Sequence, residues 1–65
     1  MRILVNGAWR EARAATVSAL LEELGLSDAV VSTAVNGSFV PLRERAATAL
    51  ADGDRLEVLA PMQGG

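Results

Sequence analysis

Two Asn-Gly pairs, Asn6-Gly7 and Asn36-Gly37, constrain this chain more than any other feature of its sequence. Each follows a β-rich run, and Asn-Gly is a preferred pair for a tight two-residue hairpin because both central positions can take positive φ. The first hairpin folds Arg2–Asn6 back through Trp9 toward Ala14. The second folds the run Ala29–Val35 back through Ser38-Phe39-Val40, where Pro41 stops the pairing because it has no N–H to give a ladder.

Between the hairpins lies one helical segment. Thr16 is a good N-cap, and Val17, Leu20, Leu21 and Leu24 recur at the i, i+3, i+4, i+7 spacing of one helix face. Glu22 and Glu23 fall on the wet side, and Gly25 is placed to end the helix in the left-handed conformation. Strand alternation puts Met1, Ile3 and Val5 on one face of the first strand and Arg2, Leu4 and Asn6 on the other, so Leu4 is a candidate exposed apolar residue.

The charges Arg43, Glu44 and Arg45 open a stretch to Ala51 that fits a short helix or an irregular crossing, read here as a solvated segment. Asp52-Gly53-Asp54 is a turn cluster rather than a metal pair, since two carboxylates around a glycine fall short of a calcium loop. Arg55–Leu59 then alternates as a last strand with Leu56 and Val58 inward, and Pro61 takes the chain off the sheet. The order is strand, strand, helix, strand, short strand, strand, which predicts an α+β fold of two layers, a mixed sheet with one main helix on one face.

Composition excludes several functions. A 65-residue chain holds one domain, and a domain this size buries only about 60% of the surface its unfolded chain exposes, which leaves little room for a deep cleft. There is no cysteine and no histidine, so the thiolate and imidazole ligands of zinc and redox sites are missing and no metal or bound cofactor is expected. The formal net charge is −2 and the six basic residues are arginines scattered singly, which disfavours nucleic acid. No apolar run approaches the roughly 20 residues of a membrane span and the N-terminus has no signal-peptide layout, so a cytoplasmic protein is expected. With Trp9 and Phe39 as the only aromatics, the core falls to Val, Leu, Ile and Ala, and both aromatics are read as packing over a sheet edge.

The element order matches the β-grasp fold of ubiquitin, and the tail Ala60-Pro61-Met62-Gln63-Gly64-Gly65 narrows it. At a glycine frequency of about 7%, a closing glycine pair arises by chance roughly once in two hundred chains. The whole chain resembles the ubiquitin-like sulfur carriers of thiamine biosynthesis, the ThiS type. The residues that carry the resemblance are Ile3-Leu4-Val5-Asn6-Gly7, Thr16-Val17 with Leu20-Leu21, Ala34-Val35-Asn36-Gly37 leading to Val40-Pro41, Asp52-Gly53-Asp54 and the terminal Gly64-Gly65.

That resemblance implies one domain over 1–65, with 60–65 a flexible functional tail and no catalytic side chain. A ThiF-type adenylating enzyme joins the Gly65 carboxylate to AMP from ATP, a persulfide donor supplies sulfur to leave a thiocarboxylate, and a ThiG-type thiazole synthase takes it. The chain is then a protein co-substrate and not an enzyme. The residue types suit this independently. An α-carboxylate with a reference pKa of about 3.3 to 3.7 is ionised at neutral pH and needs no general base. Gly64 and Gly65 carry no Cβ to obstruct a narrow channel, through which Gln63 and Met62 follow. Leu4, Leu59 and Met62 are candidates for an apolar patch on which the partners dock.

Three other functions use the same residues differently. The small subunit of molybdopterin synthase delivers sulfur from the same diglycine, a ubiquitin-like modifier ends in an isopeptide bond to lysine, and an inert interaction module makes no use of its tail. The first shares the Gly65 thiocarboxylate and differs in the recipient of its sulfur, the second predicts an isopeptide, and the third leaves Gly65 unmodified.

Overall fold

The computed structural model describes residues 1–60. Strands β1 (Arg2–Val5) and β2 (Ala8–Glu11) form one antiparallel hairpin, helix α1 (Val17–Glu23) follows, and β3 (Ser32–Val35) and β4 (Ser38–Val40) form the second hairpin. A 3₁₀ segment, Leu42–Ala47, crosses to the last strand, β5 (Arg55–Leu59). The sheet order is β2-β1-β5-β3-β4, with β5 parallel to β1 and antiparallel to β3. One mixed sheet with one helix on one face is the expected α+β, β-grasp arrangement.

Both turns have the backbone their sequences require. Asn6 and Asn36 sit at φ 48° and 50°, and Gly7 and Gly37 follow at 84° and 86°, the two successive positive φ values of a turn whose twist matches its strands. Helix α1 begins where Thr16 accepts a hydrogen bond from the Ala19 N–H at 3.2 Å, a cap worth about 1 kcal/mol. It ends in a Schellman arrangement, with the Leu26 N–H donating to Leu21 O and the Gly25 N–H to Glu22 O, Gly25 taking φ 78°.

The core sits between sheet and helix. Ile3, Val17, Leu20 and Leu56 are sealed from solvent, joined by Val5, Ala12, Ala14, Leu21 and Leu50. Ile3, Val5 and Leu56 are inward strand residues, Val17, Leu20 and Leu21 form the apolar stripe of the helix, and Ala12, Ala14 and Leu50 come from the connections; truncating one of the large ones to alanine costs about 2–5 kcal/mol in a core of this kind. Glu23, on the solvent side of the helix, turns its carboxylate back to accept from the N–H groups of Arg13 and Ala14, tying the chain after β2 to the helix.

Three expectations are corrected. The run from Ala29 enters the sheet only at Ser32, because Ala29 donates to Leu26 O in a turn and Val30 stays 80% exposed. The return strand of the first hairpin ends at Glu11, although Ala12 and Met1 still exchange two hydrogen bonds beyond it. Arg45 is not solvated. It is buried, its Nε donates to Thr33 Oγ1 at 3.0 Å and its Nη2 to the Val31 carbonyl, while Thr33 Oγ1 in turn donates to Val40 O at 2.9 Å. The guanidinium thereby pins the crossing segment to the start of β3 and supplies partners that a buried hydroxyl and carbonyl need.

Replacing Arg45 by Met keeps the apolar stem and removes these donors. The Arg45→Met protein is expected to lose about 1–3 kcal/mol in urea unfolding, the cost of buried acceptors left without partners.

Asp54 makes part of the fold's stability depend on pH. Its carboxylate accepts from the Ala51 N–H at 2.8 Å and from Asn36 Nδ2 at 3.0 Å. These bonds, the Ala51 one first, hold its pKa below the ordinary 3.8. A carboxyl depressed in the folded state stabilises above its unfolded pKa, and that contribution disappears as pH falls through the lowered folded value. Asp54→Ala is therefore expected to lower the melting temperature near neutral pH, and the gap to wild type is expected to close as pH falls through the lowered folded pKa, as thermal melts from neutral into the acid range will check.

Candidate functional site

Successive residues of a strand direct their N–H and C=O groups to opposite neighbours. Asp54 O and Leu56 O accept from Leu4 N and Asn6 N on the β1 side, and Arg55 O accepts from Asn36 N on the β3 side. Val58 next faces β1 again, but β1 has already turned at Asn6-Gly7. The Asn6 side chain fills the place. Its Nδ2 donates to Val58 O at 3.0 Å and its Oδ1 accepts from Val58 N at 2.8 Å. At the opposite end of β5, Asn36 Oδ1 accepts from Arg55 N at 3.0 Å.

The sheet face turned away from α1 carries the outward residues of every strand. One rung across it runs Trp9, Leu4, Arg55 and another Phe39, Ala34, Glu57. Leu59 lies beyond Glu57, 65% exposed, and a shallow groove between Leu4, Arg55, Glu57 and Leu59 reaches back to Asn6-Gly7. Arg2 stacks its guanidinium 4.6 Å from the centre of the Trp9 ring, a cation–π contact that orients the indole without covering it.

Of the residues singled out from sequence, Leu4 and Leu59 do share this face. Leu4 is half-buried rather than fully exposed, since Trp9 and Arg55 are its strand neighbours. Phe39, read as a packing aromatic, is instead 69% exposed, and Trp9 is 50% exposed. The signal that would have found them is parity, because both stand opposite outward positions of their hairpin partners. The expectations on Met62, Gln63, Gly64 and Gly65 lie outside the described residues. Asp52 and Asp54 are turn residues, Asp52 accepting from Arg2 N at 2.7 Å. Among the described residues there is no cluster of three acidic, histidine or cysteine side chains that could hold a metal, and no helix long and apolar enough to cross a membrane.

The model of the ThiS family matches residues 3–65. The chain belongs to the ThiS family. The crystal structure of the thiamine biosynthesis protein ThiS from Geobacter metallireducens is similar over all of both chains, with a TM-score of 0.84 at 33% identity. A solution structure of a thiamine biosynthesis protein from the same organism gives 0.78 at 32% identity, covering all of this chain and 88% of that one. This ThiS-family chain is also 41% identical over 66 residues to a thiazole synthase from Paramagnetospirillum magneticum, and it spans only about 20% of the length of that protein. The likeness to solved ThiS structures agrees with the sheet order and the single helix described above.

Proposed function

We propose that this chain carries sulfur for building the thiazole of thiamine, with the Gly65 carboxylate as the attachment point. The observation that carries the reading is the ThiS family match, which runs through Gly64-Gly65. The thiamine pathway is favoured over the pterin one because the crystal and solution structures that this chain resembles are of a thiamine biosynthesis protein.

In the proposed cycle a carboxylate oxygen of Gly65 attacks the α-phosphorus of ATP on a ThiF-type enzyme, a P–O bond forms and pyrophosphate leaves. A persulfide sulfur then attacks the acyl carbon and AMP departs. A thiol reduces the remaining S–S bond, leaving the thiocarboxylate that a thiazole synthase consumes. The side chains of this protein move no proton and form no bond in these steps, so its role is to be held and presented. ATP belongs to the activating partner.

The relative that is a thiazole synthase, with a segment resembling this whole chain, supports such an enzyme as one recipient. For docking we assign the outward face around Leu4 and Leu59. Exposed apolar and aromatic groups flanked by Arg2, Arg55 and Glu57 have the makeup of an interface centre with a charged rim.

Gly64→Val adds a branched side chain one residue from the reacting carbon. It is expected to cut carrier-dependent ATP–pyrophosphate exchange by about 100-fold, the penalty for misplacing a reacting group by an ångström or so, while circular dichroism stays unchanged. Exchange at the wild-type rate would remove the narrow-channel account.

Leu4→Glu buries a charge at the middle of the assigned face. Titration calorimetry against the adenylating enzyme is expected to show affinity falling about 10-fold or more, as for a central interface residue, without loss of fold. Unchanged affinity would move the docking face elsewhere.

A further inference from the structure

We infer that Asn6 is a positioning residue for the carrier end, acting through Val58 to fix where the chain leaves the body; this rests on the carrier reading above. Val58 is held on one side by its pairing opposite Thr33 of β3. On the other side it has no strand among the described residues, because β1 ends at Val5 and pairs with β5 only as far as Leu56. The amide of Asn6 replaces the missing peptide unit, donating to Val58 O and accepting from Val58 N. With both bonds made, β5 remains an interior strand two residues past the end of β1. Without them Val58 becomes a sheet edge, and the residues after it start from a less restricted point.

The turn alone does not explain this arrangement. Asn is favoured at φ 48°, but so is Gly, which fits the left-handed region without strain. What Gly cannot supply is the pair of hydrogen bonds. The other hairpin provides an internal control. Asn36 occupies the equivalent turn position at φ 50° and also bonds β5, but at Arg55, the end remote from the tail. Two residues with the same turn role therefore hold opposite ends of one strand, and only Asn6 holds the end that leads to Gly65.

The consequence for the proposed chemistry is a difference in presentation. A tail that starts from a fixed point samples fewer positions, so less ordering is needed when an enzyme seats its terminus. Loosening the start is expected to raise the KM of the adenylating enzyme for the carrier more than it lowers kcat, since the seated terminus is unchanged once bound.

The test compares Asn6→Gly, Asn6→Asp and Asn36→Gly with wild type, all of which retain a residue suited to positive φ. In amide hydrogen exchange, Asn6→Gly is expected to speed exchange at Val58 by about 10-fold, the loss of roughly one net hydrogen bond. Asn6→Asp keeps the acceptor for Val58 N–H and loses the donor to Val58 O, so it falls between. Asn36→Gly exposes Arg55 and leaves Val58 protected. In steady-state adenylation with a ThiF-type enzyme, Asn6→Gly is expected to raise the carrier KM about 5-fold, a part of the same hydrogen-bond loss, with Asn36→Gly near wild type. Equal KM for wild type and Asn6→Gly, or equal increases for both glycine variants, would overturn the positioning role while leaving the carrier reading in place. A wild-type chain that is not adenylated by an active enzyme set would overturn the carrier reading, and with it the role assigned to Asn6 in presenting the tail.

Discussion

The insertion of β5 between the two hairpins is the interaction on which the rest of this structure depends. Each hairpin is local and can form from its own Asn-Gly turn, but two isolated two-stranded ribbons are marginal in water. β5 joins them, parallel to β1 and antiparallel to β3, and brings Leu56 to the centre of the core, sealed from solvent. The parallel pairing requires a long crossover, which the helix, the second hairpin and the 3₁₀ segment together provide. Because β5 closes the sheet and also leads to the proposed reactive end, stability and presentation are carried by one strand.

The sheet divides its labour by parity. One face meets α1 and includes Ile3, Val5, Thr33, Val40 and Leu56; the other carries Trp9, Leu4, Phe39 and Leu59 with a few charges. A single helix of seven residues, Val17–Glu23, can cover only one side of five strands, so so small a chain inevitably leaves apolar groups on the second. In a protein proposed to work by being grasped, that uncovered face is the one we propose for docking.

Most of the fold was legible because local signals agreed with one another. Thr16, the apolar spacing Val17–Leu24 and Gly25 each named the helix, and the helix they named is there. Both Asn-Gly turns formed with the positive φ expected of them. What was illegible depended on contacts between residues distant in sequence. Arg45 looked like part of a solvated charge run, and only the approach of Thr33 and the Val31 carbonyl makes it a buried residue. The entry to β3 shifted to Ser32 for a local reason instead, the competing turn in which the Ala29 N–H donates to Leu26 O. Phe39 failed because its hairpin partner Ala34 faces the open side, which periodicity alone did not weigh. For the site, Leu4 and Leu59 were placed on one face by alternation, whereas the double hydrogen bond from Asn6 to Val58 left no trace in the sequence beyond a turn residue. The proposed point of sulfur attachment was read from Gly64-Gly65 and lies outside the described residues.

The central claim is that the Gly65 carboxylate accepts sulfur. Intact-protein mass spectrometry after incubation with ATP, a ThiF-type enzyme, a persulfide donor and a thiol tests it most directly, alongside a chain lacking Gly65. The account predicts a gain equal to one sulfur replacing one oxygen, confined to the C-terminal peptide and absent from the shortened chain. An unmodified full-length chain in the presence of enzymes that modify another ThiS-family protein would contradict it.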